Sequence, residues 1–350
     1  MSAIELQDGG EPDLGGAEAG GAEPERRWRV LRRRAVTVFF LVATAAAIAA
    51  VLHSQDWSVL ATTMRDRPAG FFAVMVGLAL LANGAALLAS MRAWLSMLSG
   101  VTGDVAATDS ARIFFAGQFA KYMPGKIFGY VVSVRMGKTL GVSTVRMTSA
   151  WMLTLVIGLL TGATVGLLAG PQVLGGSVAW LALAALPIVA VLIRPDLISW
   201  AAVVVARLLR RPPPTVRLPG SVIRRNVVMQ LMSWLLGGVQ LWFLAIAMGA
   251  PPAGSLLLCV GAFGLGTVAG VFAVFAPEGL GVREFVLLTA LSVTLSLPAA
   301  GVVALVSRLV VILSELATAG VGLLVIEVLR RRRARRPGER HLLVPAPDSL

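Results

Sequence analysis

Gln118-Phe119-Ala120-Lys121-Tyr122-Met123-Pro124-Gly125-Lys126-Ile127-Phe128-Gly129 and Phe275-Ala276-Pro277-Glu278-Gly279-Leu280-Gly281-Val282-Arg283-Glu284 interrupt an otherwise oily chain. Each puts a proline–glycine break and ionised groups where the neighbouring sequence reads as membrane-spanning helix. Backbone groups freed by such a break must find partners in protein or water, because lipid tails offer none. Charges at membrane depth are costly and mark polar paths or sites. Two interrupted segments, one in each half of a chain, point to a transporter-like binding region.

Composition sets the class. Of 350 residues, 57% are hydrophobic and 14% charged, and the mean hydropathy is +0.82. Soluble domains carry roughly 25% charged residues. The expectation is an all-α, polytopic helical membrane protein. A net charge of +13 raises nucleic acid as a partner, but charge placement argues against it. Arginines crowd at Arg26-Arg27, Arg32-Arg33-Arg34 and Arg330 to Arg336, each cluster abutting an apolar run, as the positive-inside rule requires. The same clusters attract anionic lipid headgroups. Cys259 is the single cysteine, and His53 and His341 are the only histidines. No internal disulfide or zinc site can be built from that set, and no cofactor is expected.

Along the chain, residues 1–34 form an acidic and then basic tail, expected to be disordered over 1–25. Residues 35–329 form the membrane domain, and 330–350 a basic tail. A span needs about 20 apolar residues. About eight are read, near 36–53, 70–90, 147–169, 177–193, 222–248, 254–276, 280–297 and 299–328, with 197–209 as an extension or interfacial helix. Segment 113–134 decides the topology. If it crossed, Arg135, Lys138 and Arg146 would fall outside and every later loop would invert. If it dips in and returns as a re-entrant hairpin, all the basic loops and both termini stay cytoplasmic.

Several residues could carry function, Arg135, which follows the first break, among them. Lys121 and Lys126 flank the Pro124-Gly125 break, and Tyr122 lies beside them. Two readings stand open for the lysines: contact with a lipid phosphate, or simple snorkelling. At the second break Pro277, Gly279 and Gly281 precede a helix beginning near Val282. Glu278 and Glu284 suit a helix N-terminus, whereas Arg283 does not and needs a carboxylate or an anion as partner. Arg308 and Glu315 are seven residues apart in the last span, on one helix face. They can pair with Glu284, with Arg283 or with each other. Asn83 and Gln118 are lesser polar candidates. No P-loop, G-x-S-x-G elbow or H-E-x-x-H motif occurs, so no enzymatic activity is expected.

Lys121-Tyr122-Met123-Pro124-Gly125-Lys126 and Pro277-Glu278-Gly279-Leu280-Gly281-Val282-Arg283-Glu284 resemble the motifs of the lysylphosphatidylglycerol synthase transmembrane-region family, the flippase-like integral membrane proteins. The likeness covers about residues 35–328. Glu278 stands where members usually carry glycine, and Arg308 sits where they commonly carry an arginine. The resemblance implies a helical bundle with two re-entrant or broken hairpins that moves an aminoacylated phospholipid across the membrane. In full-length members a C-terminal transferase domain makes that lipid. The chain ends shortly after its last span, so that domain is expected to be absent.

Three readings of function follow. The first is a flippase-like protein of the cytoplasmic membrane that translocates an anionic or aminoacylated phospholipid, or a polyprenyl-phosphate-linked lipid. Lys121, Lys126, Arg283 and Arg308 would neutralise the phosphate while the tails stay in lipid. The second is a non-transporting accessory subunit of a membrane lipid-synthesis or glycosyltransferase system. The third is a membrane-embedded transferase with Glu278 or Glu284 as base.

Overall fold

A computed structural model describes residues 58, 68–103, 105–122, 128–173, 175, 177, 179–208, 218–273, 279 and 281–334. Residues 1–34, the first expected span at 36–53 and residues 335–350 lie outside the described residues, as do Pro124, Gly125, Lys126, Pro277 and Glu278, whereas Arg330 to Ala334 of the expected C-terminal tail continue the last helix. The described residues are nearly all helical and contain no strand. The helices are α1 (Ala69–Thr102), α2 (Ala107–Ala120), α3 (Phe128–Thr139), α4 (Thr144–Gly166), α5 (Ala179–Ile193), α6 (Asp196–Leu208), α7 (Gly220–Ala247), α8 (Pro252–Phe272), α9 (Val282–Leu291) and α10 (Leu297–Ala334). A 3-10 turn (Leu167–Ala169) and a four-residue α-helical stretch (Gly170–Val173) extend α4 as far as Val173.

Five of these, α1, extended α4, α7, α8 and α10, are long and apolar enough to cross a membrane. The chain is a multi-pass helical membrane protein. Local chemistry sets several helix starts. Ser143 caps α4 by accepting the Arg146 N–H at 3.4 Å. Pro252 opens α8, where its missing N–H costs nothing.

The described residues of segment 113–134 fall in two short arms, α2 of 14 residues and α3 of 12. At 1.5 Å per residue these reach about 21 and 18 Å, short of a hydrocarbon core of about 30 Å. The arms meet next to their break: a Cβ on Gly129 would lie 3.3 Å from the Gly117 carbonyl oxygen. The two described arms pack against each other.

Two expected spans are corrected. Residues 280–297 yield only the 10-residue α9, because its chain begins at a glycine turn and ends in the turn after Leu291. It is a half-helix packed against α8 and α10. Residues 177–193 yield the 15-residue α5. Arg194 and Pro195 then turn the chain by 108° into α6, so the two form at most one broken span. Proline removes a backbone donor and clashes with the preceding turn. Along α6, Ile198, Ala202 and Ala206 are buried while Trp200, Val204 and Leu208 are exposed, which fits the interfacial alternative.

Close packing through small residues holds the bundle. A Cβ on Gly238 of α7 would sit 2.3 Å from Val260 Cα of α8, and one on Gly261 of α8 would sit 2.3 Å from Ala169 N. Without water to drive apolar association, such close contacts and interhelical hydrogen bonds supply much of the cohesion. Asn226 Nδ2 donates to Ala93 O at 2.7 Å, Trp234 Nε1 to Thr161 Oγ1 at 3.0 Å, and Ser307 Oγ to Gln240 Oε1 at 3.2 Å.

Gly238→Val is expected to lower stability by roughly 1–3 kcal/mol or more through overpacking. Gly158→Ala, whose new Cβ meets nothing within 4 Å, should be neutral or gain up to about 1 kcal/mol of helix propensity. Thermal unfolding of both variants in one detergent checks the contrast.

Candidate functional site

The two breaks deliver their charges to one place. Lys121 and Tyr122 follow the last turn of α2, Arg283 lies in the first turn of α9, and α10 contributes Arg308 and Glu315. All five side chains line a cavity of about 220 Å³. Asn83 and Ser90 of α1, Gln230 and Ser233 of α7 and Thr267 of α8 add neutral polar groups. Neither motif is a site alone; the fold makes one site of both.

Glu315 accepts from two donors through one oxygen. The Lys121 ammonium lies 2.5 Å from Oε2, and the Tyr122 hydroxyl donates to that same atom. The Lys121 and Glu315 side chains are 27% and 14% exposed. The end of the first hairpin arm is thereby tied to α10. At the preceding residue of α10, Asn83 Nδ2 donates to Ser314 Oγ at 2.5 Å and ties α1 to the same stretch.

Glu284 divides its oxygens. Oε2 accepts the Gly281 N–H at 2.7 Å and closes the N-terminus of α9, where a carboxylate also complements the helix dipole. Oε1 lies 2.5 Å from Arg308 Nη1. The turn that feeds this cap needs glycine. Gly281 has φ +85° and Gly279 φ +69°, and a Cβ on Gly279 would lie 2.4 Å from Gly270 Cα.

Arg283 is placed by stacking. Its guanidinium carbon lies 4.9 Å from the centroid of the Phe263 ring, a cation–π contact worth about 0.5–2 kcal/mol. The cationic face of the cavity is thus built from α2, α9 and α10.

A second, more apolar cavity of about 340 Å³ adjoins the first. Ser90, Gln118, Lys121, Gln230 and Trp234 line both. The rest of its wall includes Trp94, Phe114, Trp151 and Leu155, with Gly117, Gly129 and Gly158 leaving room. The Gln118 carbonyl oxygen is buried there with no hydrogen-bond partner among the described residues. A charged chamber opening into an aromatic groove suits an amphipathic molecule with an anionic end.

This geometry accompanies a sequence match over most of the chain. The profile described as "Lysylphosphatidylglycerol synthase TM region" matches residues 35–319. The chain belongs to this family. It is therefore a membrane protein of a lipid-related family. No curated protein matches the chain at a significant level.

Of the residues the sequence singled out, Lys121, Tyr122, Arg283, Arg308 and Glu315 line the chamber, and Glu284 and Gly281 support it. Arg135 does not: it is exposed on α3 and lines neither cavity. Its position after the break suggested a role, but the helix turns it away from the groove side occupied by Gly129 and Ser133. Asn83 and Gln118 both belong to the site. Ser90, Gln230, Ser233, Trp234 and Phe263 were not anticipated. They sit in helices apolar on every face, where periodicity cannot mark an inner side. Among the described residues no three His, Cys, Asp or Glu side chains gather as metal ligands would.

The Glu284–Arg308 pair is expected to behave as one unit. Either Arg308→Met or Glu284→Gln alone leaves a buried charge uncompensated and should cost about 3–5 kcal/mol. The double substitution should recover about 1–3 kcal/mol of the summed loss. Gln at 284 keeps an oxygen for the Gly281 N–H, so the cycle reports the ion pair. Detergent unfolding midpoints of the four proteins measure it.

Proposed function

We infer that this chain translocates a phosphate-headed lipid across the cytoplasmic membrane. The observation that carries the reading is the continuity of the cationic chamber with the apolar groove. Lys121, Arg283 and Arg308 surround the phosphate, in charge-assisted hydrogen bonds stronger than neutral ones. The Gln118 amide takes a polar group of the head. The first part of a hydrocarbon chain lies along Trp94, Phe114 and Trp151, and the remainder stays in lipid.

A charge dragged through hydrocarbon meets a barrier of many kcal/mol. Translocation needs a path on which the phosphate never lacks a partner. Two half-length hairpin arms and the half-helix α9 bring such partners to membrane depth, in protein rather than in lipid. The substrate class is an anionic or aminoacylated phospholipid, or a polyprenyl phosphate. The arginine clusters support an orientation with both termini cytoplasmic.

Headgroup accessibility of labelled anionic phospholipids in proteoliposomes tests this. The wild type should move lipid between leaflets. Lys121→Ala and Arg283→Ala should lose at least about tenfold in rate, the loss of one charge-assisted contact of about 1.5–3 kcal/mol. Transport retained by both variants would defeat the site assignment. No movement of phospholipids or polyprenyl phosphates by the wild type would favour an accessory subunit of a lipid-synthesis or glycosyltransferase system.

A further inference from the structure

Thr154 breaks the habit of its helix. A threonine inside a helix commonly turns its hydroxyl back to the carbonyl one turn earlier. Three others in α4 do so. Thr148 Oγ1 donates to the Thr144 carbonyl at 2.7 Å, Thr161 Oγ1 to Ile157 at 2.6 Å and Thr164 Oγ1 to Leu160 at 2.7 Å. Thr154 Oγ1 is buried, and it has no hydrogen-bond partner among the described residues. A buried polar group left unpaired lowers stability, so one that persists calls for a reason.

The place of Thr154 supplies one. Trp151, Thr154, Leu155 and Gly158 follow one another at helical spacing and form the α4 wall of the apolar groove. Gln118 of α2 brings a second unpartnered atom, its carbonyl oxygen, to the same groove. Several other polar groups of the wall are spent inside the protein. Trp94 Nε1 donates to the Ser110 carbonyl at 3.2 Å, Trp234 Nε1 to Thr161 Oγ1 at 3.0 Å, and Ser133 Oγ to the Gly129 carbonyl at 2.8 Å. We propose that Thr154 is a specificity-determining residue of the groove: its hydroxyl donates to an ester carbonyl at the start of a lipid acyl chain. This rests on the lipid reading above and names the linkage that joins head to chain.

Donor and acceptor roles decide the match. Gln118 Oε1 only accepts, so it suits a hydroxyl or amine of the head and cannot serve a carbonyl. A threonine hydroxyl can donate, and an ester carbonyl can only accept. In an acylated glycerophosphate the ester carbonyls lie a few bonds beyond the phosphate. They fall between the part held by charge and the part that lies along the aromatic rings. The groove begins at residues it shares with the chamber, among them Gln118 and Lys121, and Thr154 belongs to the wall beyond them. Only χ1 has to turn for the hydroxyl to meet a carbonyl in the groove, and no bond to the Ala150 carbonyl holds it back. An ether-linked lipid or a polyprenyl phosphate has no carbonyl at that point and would leave the hydroxyl unpaired. The side chain therefore favours acyl esters over both.

The test uses the full chain in detergent with two short-chain phosphatidylglycerols of equal chain length, one diacyl and one with ether links in place of the esters. Binding is followed by tryptophan fluorescence. The wild type is expected to bind the diacyl lipid about two- to tenfold more tightly, the worth of one neutral hydrogen bond. Thr154→Val keeps nearly the same shape and should lose that preference by weakening the diacyl lipid alone. Thr154→Ser keeps the hydroxyl and should retain it. Valine removes a hydroxyl with no partner in the protein, so thermal unfolding of Thr154→Val should come no earlier than that of the wild type. The wild-type comparison stands by itself if a variant does not fold. Equal affinity of the wild type for both lipids would overturn the proposal. So would a preference that survives in Thr154→Val, or a loss in that variant that falls on both lipids alike. Binding of a polyprenyl phosphate but of neither glycerolipid would overturn it and leave the lipid reading standing. No binding of any of the three would overturn the lipid reading, and the proposal with it.

Discussion

The requirement that no charge and no backbone group meet hydrocarbon alone governs this protein. Two ion pairs discharge it, and both end on α10. Lys121 and Tyr122 close on Glu315, and Glu284 closes on Arg308. Take either away and a half-length element loses one of its ties to α10. The arm α2 and the half-helix α9 are too short to span the membrane; charge ties each to α10, and buried side chains such as Phe115 and Leu287 pack them against their neighbours. A buried pair is weak evidence of net stability, but it is a strong specifier of which element sits against which.

Glycine does the complementary work. Where α7, α8 and the end of α4 meet, glycines 238 and 261 let backbones approach within reach of one another. Where the chain breaks, Gly279 and Gly281 adopt positive φ and start α9 beside Gly270. At the hairpin, Gly117 and Gly129 let the two arms touch. The same residue type thus sets tight packing in one part of the bundle and open space in another, since Gly117, Gly129 and Gly158 also line the groove.

Much of this was legible beforehand, for physical reasons. Apolar length marks spans, so α1, α4, α7, α8 and α10 were readable. The basic residues after 134 favoured a hairpin over a full crossing at 113–134, and each described arm is too short to cross by itself. Length failed at 280–297, where an apolar run is divided by a glycine turn and a helix end rather than by charge. It failed again near Pro195, where α5 and α6 bend apart. At the site, Arg308 and Glu315 stood out as charges in a span, with Glu284, Arg283 or each other open as partners, and the first of these is what Arg308 meets. The structure sends them to different elements, Arg308 to α9 and Glu315 to the end of α2. Seven residues bring two side chains to one face, but which neighbour each meets depends on helices far away in sequence. The neutral lining, Ser90, Gln230 and Ser233, gave no signal, because a serine or glutamine in an apolar helix reads alike on either side.

The groove has one further property. At Gly158 the helix faces space, and nothing lies within 4 Å of an added Cβ. A larger residue there would occupy room otherwise open to a ligand without pressing on a neighbouring helix. Folding depends on glycines elsewhere in the bundle, and the depth of the groove depends on this one. The depth of the groove and the integrity of the bundle are therefore set at separate positions, so the first can change without endangering the second.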